Sequence, residues 1–177
     1  MNTSAGSTLP PVTLVLGGAR SGKSLYAERL VNRFGPGVYV ATAEARDAEM
    51  AARIRHHQER RGRYWTTVEE PIDIVPAIKA YSTPGRAVLV DCLTLWLSNL
   101  MEKDGDLNGD TQKLVAALTD LPGPVVLVSN EVGLGGVPGN ALARAFMDAT
   151  GRLNQAVALI ANRVVFMAAG LPLVLKE

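Results

Sequence analysis

The sequence predicts an α/β fold in which a mostly parallel sheet is flanked by helices and closes in a C-terminal β-hairpin. Three observations predict it. Short apolar runs at Val12–Leu16, Val38–Ala41, Ala87–Val90 and Val125–Val128 read as strands buried on both faces, which is how parallel sheets are built. Stretches with apolar residues three and four apart separate those runs, so strands alternate with helices. Near the end, Val164–Ala168 and Leu173–Leu175 flank the turn Gly170-Leu171-Pro172 and read as an antiparallel pair.

The first strand runs into Gly17-Gly18-Ala19-Arg20-Ser21-Gly22-Lys23-Ser24, which fits G-x-x-x-x-G-K-[ST]. Helical spacing at Leu25, Leu30 and Val31 follows directly, so the motif has the strand-loop-helix setting it requires. The physics is specific. Glycines let successive N–H groups turn inward on phosphate oxygens, and the helix adds its positive end. Lys23 then neutralises the β/γ-phosphates, and the Ser24 hydroxyl ligates the Mg²⁺ between them. The fold class is therefore a P-loop nucleotide-binding fold, a scaffold that hosts many reactions and by itself names none.

Phe34-Gly35-Pro36-Gly37 is a turn, and Val38-Tyr39-Val40-Ala41 a second strand, with Thr42 just past its end, where open parallel sheets make ligand contacts. Asp47 can cap a helix running to about Arg61. Tyr64–Val68 is a brief strand, and Ile72–Tyr81 a helix that Pro76 interrupts near its start. Ala87-Val88-Leu89-Val90-Asp91 then describes a buried strand delivering a carboxylate to the phosphate side of the sheet, where it holds Mg²⁺ directly or through water; the alternative is a cap for the helix Leu93–Met101.

Glu102–Asp110, charged and glycine-containing, is the expected mobile loop, and Thr111–Leu118 is helical. Val125–Val128 ends in Ser129-Asn130-Glu131. A second carboxylate there orients a water or activates a substrate hydroxyl, or is a solvated loop acid. Gly133–Gly139 is glycine-rich but has no lysine and no helix start. Asn140 to about Ala161 is the longest helix, with an apolar stripe at Leu142, Phe146, Leu153, Val157 and Ile160 and a ladder of opposite charges at Arg144, Asp148 and Arg152.

Composition bounds the rest. A chain of 177 residues with 47% hydrophobic and 20% charged residues can bury one ordinary core, so residues 11–177 form a single domain. Met1–Pro10 has neither a basic start nor an apolar centre and reads as a flexible tail, not a signal or transit peptide. A net charge of +1 gives no general attraction to nucleic acid or anionic lipid, and no apolar run reaches membrane-spanning length. The single Cys92 forms no internal disulfide and reads as a small packing residue, which suits a reducing cytoplasm.

Both histidines, His56 and His57, fall on the helix expected after Asp47. His57 continues the apolar stripe of Met50 and Ile54, whereas His56 lies about 100° around, in line with Glu49, Arg53 and Arg60. Guanidinium groups disfavour a neighbouring imidazolium, so His56 stays neutral and nucleophilic while the arginines hold a polyphosphate; a surface histidine on a solvated face is the other reading.

The segments GGARSGKS at Gly17–Ser24, YVATA at Tyr39–Ala43, DAEMAARIRHH at Asp47–His57, WTTVE at Trp65–Glu69, VDCLT at Val90–Thr94, NEVG at Asn130–Gly133 and GRLNQ at Gly151–Gln155 together are similar to the bifunctional adenosylcobinamide kinase/adenosylcobinamide-phosphate guanylyltransferase family. The resemblance spans nearly the whole chain. It implies phosphorylation of adenosylcobinamide by ATP or GTP, then transfer of GMP from GTP to the adenosylcobinamide phosphate through a GMP-histidine intermediate on His56, with Mg²⁺ at Ser24 and Asp91. It also implies nucleotide contacts from Gly17, Gly18, Ala19, Arg20, Ser21, Gly22, Lys23, Ser24, Val40, Ala41, Thr42, His57, Gln58, Glu59, Arg60, Glu69 and Asp91. Glu69 is chemically apt, because a carboxylate accepts from guanine N1–H and N2–H and not from adenine. A cytoplasmic homotrimer with sites between subunits is implied too. The competing expectation is a simple small-molecule P-loop kinase in which His56 is inert; a GTP-dependent switch lacks the Asn-Lys-x-Asp base-reading motif.

Overall fold

A computed structural model of the protein describes residues 8–45, 48, 62 and 64–177. In chain order the described elements are β1 (Val12–Gly17), α1 (Lys23–Phe34), β2 (Gly37–Ala41), β3 (Trp65–Glu69), α2 (Ile74–Tyr81), β4 (Ala87–Asp91), α3 (Leu93–Glu102), α4 (Leu107–Leu118), β5 (Val125–Asn130), α5 (Ala141–Ile160), β6 (Arg163–Ala168) and β7 (Leu171–Lys176). The strands form one seven-stranded sheet in the order β3-β2-β4-β5-β1-β6-β7. Every neighbouring pair is parallel except β6 with β7. The predicted class, a mostly parallel α/β sheet ending in a hairpin, is what the chain forms.

Alternation along the strands explains the layers. Leu14, Leu16, Val38, Val40, Val88 and Val90 turn to one face, where they meet Ile74 and Ile78 of α2, Trp96 and Leu97 of α3, Leu114 of α4, and Leu153 and Val157 of α5. Val15, Tyr39, Leu89, Val126 and Val128 turn to the other and pack on Ala27 and Val31 of α1. Because both faces are covered, the strands need apolar residues at successive positions, the pattern that made them legible.

Several boundaries differ from expectation, two of them for a clear local reason. Pro76 does not interrupt α2: it is the third helical residue, where a missing N–H costs no intrahelical bond. The loop expected over Glu102–Asp110 is shorter, because α4 already starts at Leu107, with the Asp106 side chain accepting from Gly109 N–H at 3.0 Å. Asn108 and Gly109 are weak helix formers that this cap overrides. The third strand is Trp65–Glu69, one residue on from the predicted span. The helix predicted from Asp47 to Arg61 lies outside the described residues. Among the described residues no helix is long and apolar enough to cross a membrane.

Candidate functional site

The parallel strands all end on one edge, in the order β3-β2-β4-β5-β1-β6, and the predicted site residues of the first five are their last residues or the first residues beyond. At β1 the backbone passes so close to β6 that a β-carbon on Gly17 would lie 2.5 Å from the Met167 carbonyl oxygen and 2.7 Å from Ser21 Oγ. Gly22, at φ +95°, turns the chain into α1, and Arg20 at the loop tip also has positive φ. The β6–β7 turn braces the loop from outside, with Gly170 N–H donating to the Ser21 carbonyl at 3.0 Å. Ser21 Oγ is buried with no hydrogen-bond partner among the described residues, and α1 has no side-chain cap among them. A loop with an unpaired hydroxyl and an uncapped helix start has donors to offer an anion.

Lys23 is 7% exposed and donates from Nζ to the Gly18 carbonyl at 2.6 Å. Burial holds its pKa below the ordinary lysine value, and Cys92 and Asp91 act the other way. The ammonium thus rests on a carbonyl of its own loop, and the Asp91 carboxylate at the end of β4 favours its charged form. Asp91 is half-buried, and its Oδ2 accepts from the Tyr39 hydroxyl at 2.9 Å. Cys92 is buried, and burial first, then the Asp91 charge, push its thiol up to about 12, so it is a neutral packing group as expected.

Thr42 is fully buried, and its hydroxyl is consumed: Oγ1 donates to the Cys92 carbonyl at 2.8 Å and accepts from Cys92 N–H at 2.7 Å. Asn99 of α3 donates to the Thr42 carbonyl at 2.9 Å and to the Pro71 carbonyl at 3.0 Å. These bonds lock the ends of β2 and β4 together around Asp91. At β5, Asn130 N–H donates to Thr94 Oγ1 at 2.7 Å, and Asn154 of α5 donates to the Asn130 carbonyl at 3.1 Å. Glu131 N–H then donates to the Gly17 carbonyl at 3.0 Å, which ties this residue to the phosphate loop, while one of its carboxylate oxygens accepts from Gly133 N–H at 2.7 Å.

The structure therefore brings Gly17–Ser24, Asp91 and Glu131 together at adjacent strand ends. Val40 and Ala41 are buried at the end of β2, with Ala41 in register with Asp91 on one side and Glu69 on the other. Glu69 is exposed on the outermost strand, four strand spacings from β1, a separation of roughly 19 Å. His56, His57, Gln58, Glu59 and Arg60 lie outside the described residues. Tyr39 is the residue that sequence reading missed, since a tyrosine on a buried strand looks like packing. No local signal marks it, because its bond to Asp91 depends on β2 lying beside β4.

A hydroxyl at Ser24 and a carboxylate at Asp91 are hard oxygen donors, the kind Mg²⁺ takes one or two at a time alongside phosphates and water. Among the described residues no group of three or more His, Cys, Asp or Glu stands ready to cage a metal.

Comparison with known proteins bears on what this edge does. Residues 13–175 match the family model described as cobinamide kinase / cobinamide phosphate guanyltransferase. The chain is similar to the bifunctional adenosylcobalamin biosynthesis protein CobP of Pseudomonas aeruginosa, 49% identical over 166 residues that cover 92% of this chain and 96% of that protein. It is likewise similar to the bifunctional adenosylcobalamin biosynthesis protein CobU of Escherichia coli, 42% identical over 92% of this chain and 98% of that one. Among solved structures, the flagellar accessory protein FlaH of Methanocaldococcus jannaschii shares the fold with a TM-score of 0.57 at 13% identity, covering 97% of this chain and 81% of its own. A solved ATPase domain does so with a TM-score of 0.51 at 13% identity, covering 89% and 70%.

Proposed function

The chain belongs to the cobinamide kinase / cobinamide phosphate guanyltransferase family, and on that premise we propose that it carries out both reactions on one scaffold. The first transfers the γ-phosphoryl group of ATP or GTP to the aminopropanol hydroxyl of adenosylcobinamide. The second joins GMP from GTP to the new phosphate, giving adenosylcobinamide-GDP and pyrophosphate for cobalamin assembly. The observation that carries the reading is the family match through residues 13–175, which takes in the phosphate loop and the strand that ends in Asp91.

In the kinase step, loop amides and the start of α1 hold the β- and γ-phosphates, and Lys23 exchanges the Gly18 carbonyl for a phosphate oxygen. Ser24 and Asp91 would hold Mg²⁺, which would offset negative charge on the phosphates when bound. The substrate oxygen attacks the γ-phosphorus as the bond to the β-phosphate oxygen breaks. Glu131, tied through its N–H to Gly17, receives the hydroxyl proton on the oxygen not used by Gly133.

In the guanylyl step a neutral His56 nitrogen attacks the α-phosphorus, and the bond to pyrophosphate breaks. A phosphate oxygen of the substrate then attacks the phosphorus, and the P–N bond breaks to return the imidazole. Splitting the reaction spares the enzyme a direct collision of two polyanions. His57, Gln58, Glu59 and Arg60 accompany His56 at the nucleotide, and Glu69 reads guanine. The reading further includes a cytoplasmic homotrimer with sites between subunits. Exposed Leu171, Leu173 and Leu175 on β7 support it as apolar surface that a subunit contact would cover.

Mass spectrometry of protein incubated with GTP tests the proposal. A GMP adduct mapped to His56, lost in His56→Asn while phosphorylation of adenosylcobinamide continues, is the expected result. Phosphorylation with no protein-bound GMP would reduce the protein to a kinase alone.

A further inference from the structure

We propose that Tyr39 is a positioning residue for the kinase reaction: its phenol holds one oxygen of Asp91 so that the other is presented to the nucleotide's divalent cation. The inference rests on the metal role proposed for Asp91.

Register explains how the two meet. Asp91 pairs with Ala41, and Tyr39 with Leu89, so Tyr39 lies one diagonal step down the neighbouring strand. A phenol spans that step, and the hydroxyl reaches Asp91 Oδ2 at 2.9 Å. The ring itself is fixed. Tyr39 is 5% exposed, belongs to the buried cluster that includes its register partner Leu89 and Ala27 and Val31 of α1, and meets the Trp65 ring edge-on at 6.2 Å and 75°. Trp65 in turn donates from its indole N–H to Asn32 Oδ1 of α1 at 2.8 Å. A line of contacts thus runs from the helix that follows the phosphate loop, through β3 and β2, to the carboxylate on β4.

The chemistry of the donor matters as much as its rigidity. A carboxylate on the last residue of a strand can rotate about its side-chain torsions, and the neighbouring cation, Lys23, is engaged with Gly18. A phenol O–H removes that freedom without cancelling the negative charge, as an arginine or lysine at the same place would. Oδ1 remains for the cation or for one of its waters, in keeping with the one or two protein oxygens that Mg²⁺ takes. Groups that orient a metal ligand in this way typically change metal affinity or activity by about 10–100-fold when removed.

Tyr39→Phe removes the hydroxyl and keeps the ring. The test is Mn²⁺ binding to the protein–GDP complex by electron paramagnetic resonance, beside calorimetric binding of GDP in EDTA, for wild type, Tyr39→Phe, Asp91→Asn and the double variant. The expected result is cation affinity about 10-fold weaker in Tyr39→Phe, unchanged metal-free GDP affinity and melting temperature, and no further loss when Tyr39→Phe is added to Asp91→Asn. Higher Mg²⁺ should then restore phosphorylation in Tyr39→Phe. Unchanged cation affinity, equal loss with and without metal, or independent effects of the two substitutions would each overturn the positioning role. Wild-type cation affinity in Asp91→Asn would overturn it as well, and would locate the failure in Asp91's metal role.

Discussion

Two glycine-rich loops leave neighbouring strands on the same edge of the sheet: Gly17–Gly22 follows β1, and Gly133–Gly139 follows β5. At Gly17 a single added carbon would sit 2.5 Å from a carbonyl oxygen, whereas at Gly135, Gly136 and Gly139 it would meet nothing within 4 Å. The second loop also carries Leu134 and Val137, each 80% exposed. Glycine content is common to both; close approach of backbone to backbone belongs to one. What separates them in sequence is the Lys-Ser pair at a helix start, and in three dimensions the β6–β7 turn presses on the first loop. Tight packing around the phosphate loop marks where geometry has to be kept.

Substitutions can sharpen or break that contrast. The largest effect is expected for Lys23→Ala, which should lower phosphorylation and guanylylation by about 10²–10³-fold, as loss of a preorganised donor to developing phosphate charge does. Steady-state kinetics on both reactions check it, and a loss confined to one would mean that the two reactions use different phosphate sites. Gly17→Ala comes next. Overpacking against Met167 and Ser21 should cost about 1–3 kcal/mol in urea unfolding and take metal-free nucleotide binding with it.

The protonation of Lys23 gives a third, intermediate effect whose sign is fixed. Burial lowers its pKa in the folded state, so the ammonium is present below that depressed value and lost as pH climbs through it. Metal-free nucleotide affinity should therefore fall at a lower pH than an exposed lysine would dictate. Across the same window, up to the ordinary lysine value, the unliganded fold gains stability, because the unfolded chain binds the extra proton. Calorimetry and urea titration over a pH series, with Lys23→Met as the reference, should show the two trends running in opposite directions. Smallest of all, Gly136→Ala should cost about 1 kcal/mol for its φ of +95° and Gly135→Ala less than about 0.5 kcal/mol, both with nucleotide binding intact. A large loss of binding in either would end the distinction between the loops.

Much of the site was legible because it obeys local rules. The phosphate loop, the apolar strand ending in Asp91 and the hairpin at the chain's end each follow from short-range pattern, and the structure has them at or within a few residues of the expected spans. What was not legible depends on strand order. Nothing in the segment around Tyr39 says that β2 lies beside β4, so its bond to Asp91 could not be foreseen. A strand-end position suggests ligand contact for Thr42 but says nothing of its hydroxyl, which is bonded to the backbone of Cys92, a partner fifty residues away in sequence. The start of α4 was lost for the opposite reason, since a single capping aspartate outweighed residues of poor helical propensity.

The brace between Gly170 and Ser21 has a temporal side. Because β1 is sandwiched between β5 and β6, the earliest strand to leave the ribosome finds both of its neighbours only when the last third of the chain has been made. Until then a nascent polypeptide carries the nucleotide motif on a strand with an unpaired edge, and a message broken off before the codon for Gly170 would yield a product whose phosphate loop lacks this brace.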